Sequence, residues 1–286
     1  MSTQITTAFV EQYKNNVQLL SQQKGSRLRD CVRMEYVTGT NAFFEQIGAV
    51  TAVKGTSRHG DTPQIDTPHA RRRVTLADFR WADLIDDDDK VKMLIDPTSS
   101  YAASAAAAMG RAMDDEIIAA SIGSADTGVA GGTAVALPAS QQIAVGAVGL
   151  TIEKLIQAKE ILWAADIDEE LPLYIAVTGQ QLGDLLRTTE VTSSDYNTVK
   201  ALVQGSISSF MGFNFKRSER IDNTTTTRHC FAWAQDGICL GVGRDVIGRI
   251  SERDDKNYST QVFYAMNIGA TRMEEAKVVQ IDCLES

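Results

Sequence analysis

Residues 97–122 are the most constraining stretch of this sequence, because they combine an alanine-rich composition with signals for both ends of a helix. Asp96 precedes Pro97, and a carboxylate before a proline at the first helical position is typical of a helix N-terminus. Alanines fill the middle, and Gly123 follows as a C-terminal stop. The pattern predicts a rod about 39 Å long, and its small side chains allow other elements to approach its axis closely.

The second half of the chain mixes helical and strand patterns, which predicts an α+β fold. Residues 123–149 are rich in glycine and alanine and predict a loop with short extended pieces. One apolar face predicts a helix over 151–165, and Thr178 with Gln181 forms a capping-box signature for a helix over 179–190. Strands are predicted at 171–177, 213–215, 230–233, 238–240, 261–264 and 278–281.

The N-terminal third carries apolar residues and strands that the adjacent sequence does not cover. A stripe at three- and four-residue steps predicts a helix over residues 8–24, and the stripe consists of Val10, Tyr13, Val17 and Leu20. Two X-Pro steps and two glycines favour extended chain with turns after residues 49–54, and residues 73–85 alternate as a strand does. Residues 46–90 therefore predict a two-stranded excursion, which is marginally stable alone and needs a surface to lie on.

Charge and hydropathy exclude several classes of protein. The chain has 286 residues, 43% of them hydrophobic, and a formal net charge of −9, which argues for a globular protein and against a general nucleic-acid binder. We expect no signal peptide and no membrane span, because no apolar run approaches the roughly 18 residues required. The cysteines form no CxxC pair, so buried, reduced thiols are expected.

The sequence offers no convincing constellation for catalysis, a cofactor or a metal, and we predict none of the three. His59, His69 and His229 are expected to be polar loop residues. The acidic run at 86–89 lacks the glycine and glutamate that a calcium-binding EF-hand loop requires. The glycines of 241–248 miss the dinucleotide-binding spacing, and no helix pattern follows them.

A dense basic cluster is the strongest candidate for an interaction surface. It consists of Arg71, Arg72 and Arg73, with Arg58 nearby, and an acidic run of Asp86, Asp87, Asp88 and Asp89 lies about 15 residues downstream. Guanidinium groups suit carboxylates as well as phosphates. We expect ion pairs between subunits, with nucleic-acid contacts and a solvated face as the alternatives.

The order of these elements, together with local blocks, resembles the major capsid (coat) proteins of tailed bacteriophages, which have the Hong Kong 97-type fold that encapsulin nanocompartments share. The resemblance covers nearly the whole chain. It is carried by residues 43–47, 57–63, 66–73, 109–120, 211–213, 233, 237, 249–258 and 277–281.

Read through this resemblance, the chain divides into five parts. They are an N-terminal arm (1–45), an extended loop over a neighbouring subunit (46–92), a peripheral domain (93–167) with a spine helix (97–122), an axial domain (168–247), and strands that return to the peripheral domain (248–286). Since arm and loop would be stabilised by other copies, the arm's stripe is expected to pack on neighbours. Such wrapped interfaces are large and tend to be obligate.

The same resemblance implies the function and the partners. We expect a structural protein that self-assembles, as pentamers and hexamers, into the icosahedral head around phage double-stranded DNA, in the virion and after assembly in the host bacterial cytoplasm. A portal protein, a separate scaffolding protein and a decoration protein are the implied partners. Covalent cross-linking of the kind some members use is not expected, because Gln261 stands where they place asparagine, although Lys54 could supply the lysine.

Two other functions remain open at this point. An encapsulin-like shell would share the fold but enclose protein cargo. A hydrolase would be supported only by scattered serine, aspartate and histidine residues, and the sequence suggests no residue with the perturbed pKa that a catalytic site requires.

Overall fold

The computed structural model describes residues 22–54, 60–62, 64–86, 98–187 and 209–285. Within these ranges the helices are α1 (Thr98–Ile122), α2 (Ile152–Ala164) and α3 (Gly179–Arg187). The strands, in chain order, are β1 (Arg33–Tyr36), β2 (Asn41–Ile47), β3 (His69–Thr75), β4 (Ala77–Ile85), β5 (Ala125–Thr127), β6 (Thr133–Val135), β7 (Gln142–Ile143), β8 (Leu173–Val177), β9 (Ser209–Phe210), β10 (Phe213–Arg217), β11 (Asn223–Thr224), β12 (Thr227–Ala234), β13 (Ile238–Arg253), β14 (Ser259–Arg272) and β15 (Val278–Leu284). Short 3-10 helices occur at Arg29–Cys31, Ala139–Gln141, Gln235–Gly237 and Glu275–Lys277.

The long helix is confirmed: α1 spans all of the predicted rod except residue 97, which lies outside the described residues. It ends where the glycine predicts, with the N–H of Gly123 donating to the carbonyl of Ala119 at 2.9 Å. Its apolar residues Met109, Met113, Ile117 and Ile118 are buried. They pack on the spine sheet, a four-stranded sheet in the order β1-β13-β14-β4.

The spine sheet joins strands that are far apart in sequence. Strands β13 and β14 form a long antiparallel hairpin, β4 pairs with β14, and β1 pairs in parallel with β13. The first and last fifths of the chain therefore meet beside α1.

A larger sheet, the core sheet, carries the second hydrophobic core. Its order is β7-β15-β12-β8-β10-β9, with β11 paired to β12. Buried residues of α2 and α3, including Leu155, Leu162 and Leu185, cover one face together with Ile175 and Phe213 from the strands. On the other side, Phe231 and Trp233 of β12 belong to the core that α1 shares with the spine sheet. Strand β12 therefore contributes side chains to both cores.

The local signals of the second half predict its elements well. Thr151 caps α2, with its Oγ1 accepting from the Lys154 N–H at 3.4 Å. The capping box is formed, since the Thr178 N–H donates to Gln181 Oε1 at 3.2 Å. Helix α3 is described only to residue 187, so the predicted end at residue 190 lies outside the described residues. All four cysteines are free and buried, as expected.

The predicted excursion of residues 46–90 is only partly correct. A two-stranded ribbon exists, but its strands are β2 and β3, and residues 49–54 belong to no strand. The predicted strand over 73–85 is broken at Leu76, where β3 ends and β4 enters the spine sheet. Strands β2-β3-β5-β6 form a third sheet, the ribbon sheet. Pairing with β5 holds the ribbon to its own subunit, which the sequence alone did not indicate.

Candidate assembly surfaces

Residues 22–28 are anchored to the middle of α1 by one buried carboxylate. Asp114 is fully buried and accepts hydrogen bonds from the backbone N–H groups of Arg27, at 3.0 Å, and Leu28, at 3.1 Å. The Ser26 hydroxyl donates to the same carboxylate at 2.5 Å, and the Gln23 amide is a fourth donor. The carboxylate therefore fixes both the backbone and the side chains of this segment.

Two neighbours of Asp114 on α1 complete this anchor. Arg111 donates from Nη1 to the carbonyl of Gln23 at 3.1 Å. Gly110 lets the segment cross the helix in direct contact, because a Cβ at this position would lie 2.6 Å from Cα of Gly25 and 2.7 Å from N of Ser26. The sequence showed a small-residue helix, and the structure identifies the glycine at which another segment crosses it.

The residues that follow this anchor pack against the rest of their own subunit. Arg29 forms a bidentate ion pair with Asp245 of β13, at 2.5 and 3.1 Å. The indole N–H of Trp233 donates to the carbonyl of Cys31 at 2.9 Å. Strand β1 then pairs with β13 in the spine sheet. Residues 22–36, which lie within the range 1–45 predicted as the arm, therefore contact α1 and the spine sheet of their own subunit. The predicted contact stripe (Val10, Tyr13, Val17 and Leu20) lies outside the described residues.

The three arginines of the basic cluster have carboxylate partners within their own chain. Arg71 donates from Nε to Glu45 at 2.8 Å and lies over the ring of Phe43, with 5.3 Å between Cζ and the ring centroid. Arg73 forms an ion pair with Asp126 at 2.5 Å. These pairs join β2, β3 and β5 across one face of the ribbon sheet.

Arg72 is the buried member of the cluster. It donates from Nη2 to Glu275 at 2.5 and 2.6 Å and from Nε to the carbonyl of Met273 at 3.0 Å. Arg272, which is fully buried, lies on the other side of Glu275 at 3.9 Å. Its guanidinium also donates to the carbonyls of Ser121, Gly123 and Val135, so it links the C-terminal end of α1 to the ribbon sheet. Burial lowers the pKa of Arg272.

The predicted pairing of Arg71, Arg72 and Arg73 with a neighbour's acidic run is not tested by one subunit. Such a contact would have to compete with the ion pairs inside the chain. Of the acidic run, only Asp86 is described, and its carboxylate accepts from the Ser259 hydroxyl. Arg58, Asp87, Asp88 and Asp89 lie outside the described residues.

The described residues bring together no group of His, Cys, Asp and Glu side chains that could hold a metal ion. His69 is the first residue of β3 rather than the loop residue predicted. His229 is likewise a strand residue, in β12. Its Nδ1 lies 2.7 Å from Asp282 Oδ1 and its Nε2 lies 2.9 Å from Thr224 Oγ1, so it connects β11, β12 and β15. In the part of the chain that the structure covers, no helix is long and apolar enough to cross a membrane.

Several solved structures share this fold along the whole chain. The capsid of the cyanophage P-SCSP1u aligns with a TM-score of 0.78 and 16% identity, covering 100% of this chain and 96% of that one. The capsid of a native GTA particle gives a TM-score of 0.74 and 13% identity, covering 99% of each chain. A Mycobacterium phage Che8 structure gives 0.69 and 14%, covering 96% of this chain and 97% of that one. The α+β architecture is thus a viral capsid fold.

A sequence-family comparison goes further. The model of the phage capsid protein family matches residues 5–285. The chain belongs to this family, and the resemblance to phage major capsid proteins is confirmed. No curated protein sequence matches the chain at a significant level.

Proposed function

We propose that this chain is the major capsid protein that self-assembles into an icosahedral phage head around double-stranded DNA. The observation that carries the proposal is the family match over residues 5–285. Full-length likeness to phage capsid structures supports it through the fold. The encapsulin-like alternative is not favoured, because both comparisons lead to phage capsids.

Pentamers and hexamers of the chain form the shell in this proposal. Within the predicted loop of residues 46–92, the part before β3 lies over a neighbouring subunit, because β3 and β4 pair with strands of their own chain. The stripe of Val10, Tyr13, Val17 and Leu20 packs on neighbours. The axial domain (168–247) surrounds the five- and six-fold axes, and the peripheral domain (93–167 with 248–286) contains the spine helix α1. A portal protein, a separate scaffolding protein and a decoration protein are the proposed partners. Assembly takes place in the host bacterial cytoplasm, and the product is the virion capsid.

The role is structural and non-catalytic, with no cofactor. The net charge of −9 supports a shell lining that does not adhere to packaged DNA, since like charges repel across the interior. DNA is therefore enclosed without sequence-specific binding.

Negative-stain electron microscopy of the purified chain, combined with the ratio of absorbance at 260 and 280 nm, tests this proposal. We expect closed polyhedral shells, which contain nucleic acid when isolated from infected cells and are empty when the chain is expressed alone. A small discrete oligomer at every salt and protein concentration would contradict the proposal.

A further inference from the structure

Among the described residues, no strand lies beside one edge of the ribbon sheet. Strand β2 is the first strand in the order β2-β3-β5-β6. The N–H of Gly48 donates to the carbonyl of Pro68, and the N–H of Leu76 donates to the carbonyl of Thr40, both at 2.9 Å. Even-numbered residues of β2 therefore direct their backbone groups towards β3. By the alternation of an antiparallel ladder, Phe43, Glu45 and Ile47 direct theirs to the open edge.

A cavity of about 470 Å³ lies on the face of the ribbon sheet that carries Arg72, next to the C-terminal end of β2. It is lined by residues 45–49, by Ala70 of β3, and by Asp236, Met273 and Glu275. Arg72, which also lines it, is only 7% exposed and keeps a buried Nη1 without a hydrogen-bond partner, and the buried Oδ1 of Asp236 is also unpaired. Buried polar groups normally have partners. The unsatisfied donor and acceptor make this cavity polar, but both atoms are buried and do not themselves pair with an incoming strand.

The same chain contains a segment with strand-forming residues and no strand partner. Residues 49–54 read Ala-Val-Thr-Ala-Val-Lys, and β-branched residues favour strands. In the structure this segment belongs to no sheet, and Val50 and Val53 are 51% and 57% exposed. It does not fold back on the open edge of β2 in its own subunit, since Gly48 continues the ladder with Pro68 and residues 49–54 join no strand.

We propose that residues 49–54 of a second copy of the chain add as a strand to the open edge of β2. This inference rests on the proposed function and names one contact of the shell. An open edge is a template for pairing with another chain, and strand addition satisfies the backbone groups of both partners. Each copy then supplies one strand and accepts one, so the contact joins copies head to tail and can close into rings.

Proline substitutions test the contact, because proline removes one N–H donor. The N–H of Glu45 faces the open edge, so Glu45→Pro blocks the incoming strand and leaves the β2–β3 ladder intact. Its matched control is Glu45→Ala, which also loses the ion pair to Arg71 but keeps the N–H. Thr51→Pro and its control Thr51→Ala test the incoming segment, where the isolated subunit has no strand to disturb. Circular dichroism of the dissociated subunits confirms folding of each variant.

We expect both proline variants to lower the yield of shells by about tenfold or more, while both alanine variants assemble as the wild-type chain does. Hydrogen–deuterium exchange of peptides covering residues 41–54 gives a second readout, and exchange should slow by about 100-fold or more when subunits become shells. Shells that form equally well with proline, or whose residues 41–54 exchange as in free subunits, would overturn the contact and leave the proposed function standing. A wild-type chain that forms no shells would overturn both.

Discussion

Replacing Asp114 with alanine removes the carboxylate that holds residues 22–28 against α1. The side chain is fully buried, and it is the acceptor for the backbone N–H groups of Arg27 and Leu28. A buried donor that loses its acceptor costs about 1–3 kcal/mol, and the Ser26 and Gln23 side chains can turn to other partners. Two backbone donors at this cost each predict a loss of about 2–6 kcal/mol in the free energy of unfolding.

The shift in melting temperature follows from the size of the chain. Unfolding entropy is about 2.1 cal/mol/K per residue, which for 286 residues amounts to about 0.6 kcal/mol/K. The predicted loss corresponds to a decrease of about 3–10 °C in the melting temperature of the dissociated subunit, measured by differential scanning fluorimetry.

The control lies one position further along the same helix. Asp115 forms an exposed ion pair with Arg220, so Asp115→Ala should cost less than about 1 kcal/mol. Trypsin provides a second readout: the side chains of Lys24 and Arg27 are already exposed, but cleavage after them requires the backbone to leave α1, so it should be faster in the Asp114→Ala variant. Equal melting temperatures for Asp114→Ala and Asp115→Ala would refute the idea that this carboxylate anchors the N-terminal segment.

Three further predictions concern close packing, a thiol and an ion pair. Gly110→Ala should destabilise the subunit by about 1–3 kcal/mol in urea unfolding, because the added Cβ would collide with the backbone of Gly25 and Ser26. Its control, Gly183→Ala, has open space in a helix and should be neutral or stabilising by up to about 1 kcal/mol. The opposite ranking would count against the close crossing of residues 25–26 over α1. Burial raises the pKa of Cys239 to about 12, so this thiol should resist Ellman's reagent at about pH 8 until the chain unfolds, and rapid labelling of the native protein would contradict its burial. The hydrogen bond from Arg29 lowers the pKa of Asp245 below its ordinary 3.8, so the ionised carboxylate stabilises the fold above pH 3.8 and this stabilisation is lost as the pH falls below that value. The difference in urea midpoint between the wild-type chain and Asp245→Asn should therefore shrink from about pH 7 to about pH 3. A difference that stays constant would exclude this linkage.

The elements that could be predicted from the sequence are those determined by neighbours along the chain. The start and end of α2, the capping box at Thr178 and the stop of α1 at Gly123 all depend on residues within four positions of each other. The fold itself was predicted through resemblance, because the order of a long helix and an extended loop is distinctive even where each motif is weak.

Pairings between distant segments could not be predicted in this way. Nothing near Asp114 in the sequence indicates that its partners are residues 23–28, and Arg272 reads as an ordinary charged residue of a strand. The intrachain partners of Arg71, Arg72 and Arg73 were missed for the same reason. Asp126 comes close to Arg73 only when β3 pairs with β5, and Glu275 comes close to Arg72 only when β3 contacts the turn after β14. For the anchor at Asp114, the one signal in the sequence is the run of three acidic residues at 114–116 within an alanine-rich helix.

The parallel pairing of β1 with β13 has a consequence for synthesis on the ribosome. Residues 33–36 emerge early, but their strand partner, residues 239–242, leaves the exit tunnel only when most of the chain has been made. The ion pair between Arg29 and Asp245 likewise cannot form until Asp245 has left the exit tunnel. The N-terminal segment therefore cannot reach its final position until translation is nearly complete. Nascent chains on the same messenger RNA consequently lack a complete spine sheet. This order of events delays association between copies until release, when the subunits can meet as complete units.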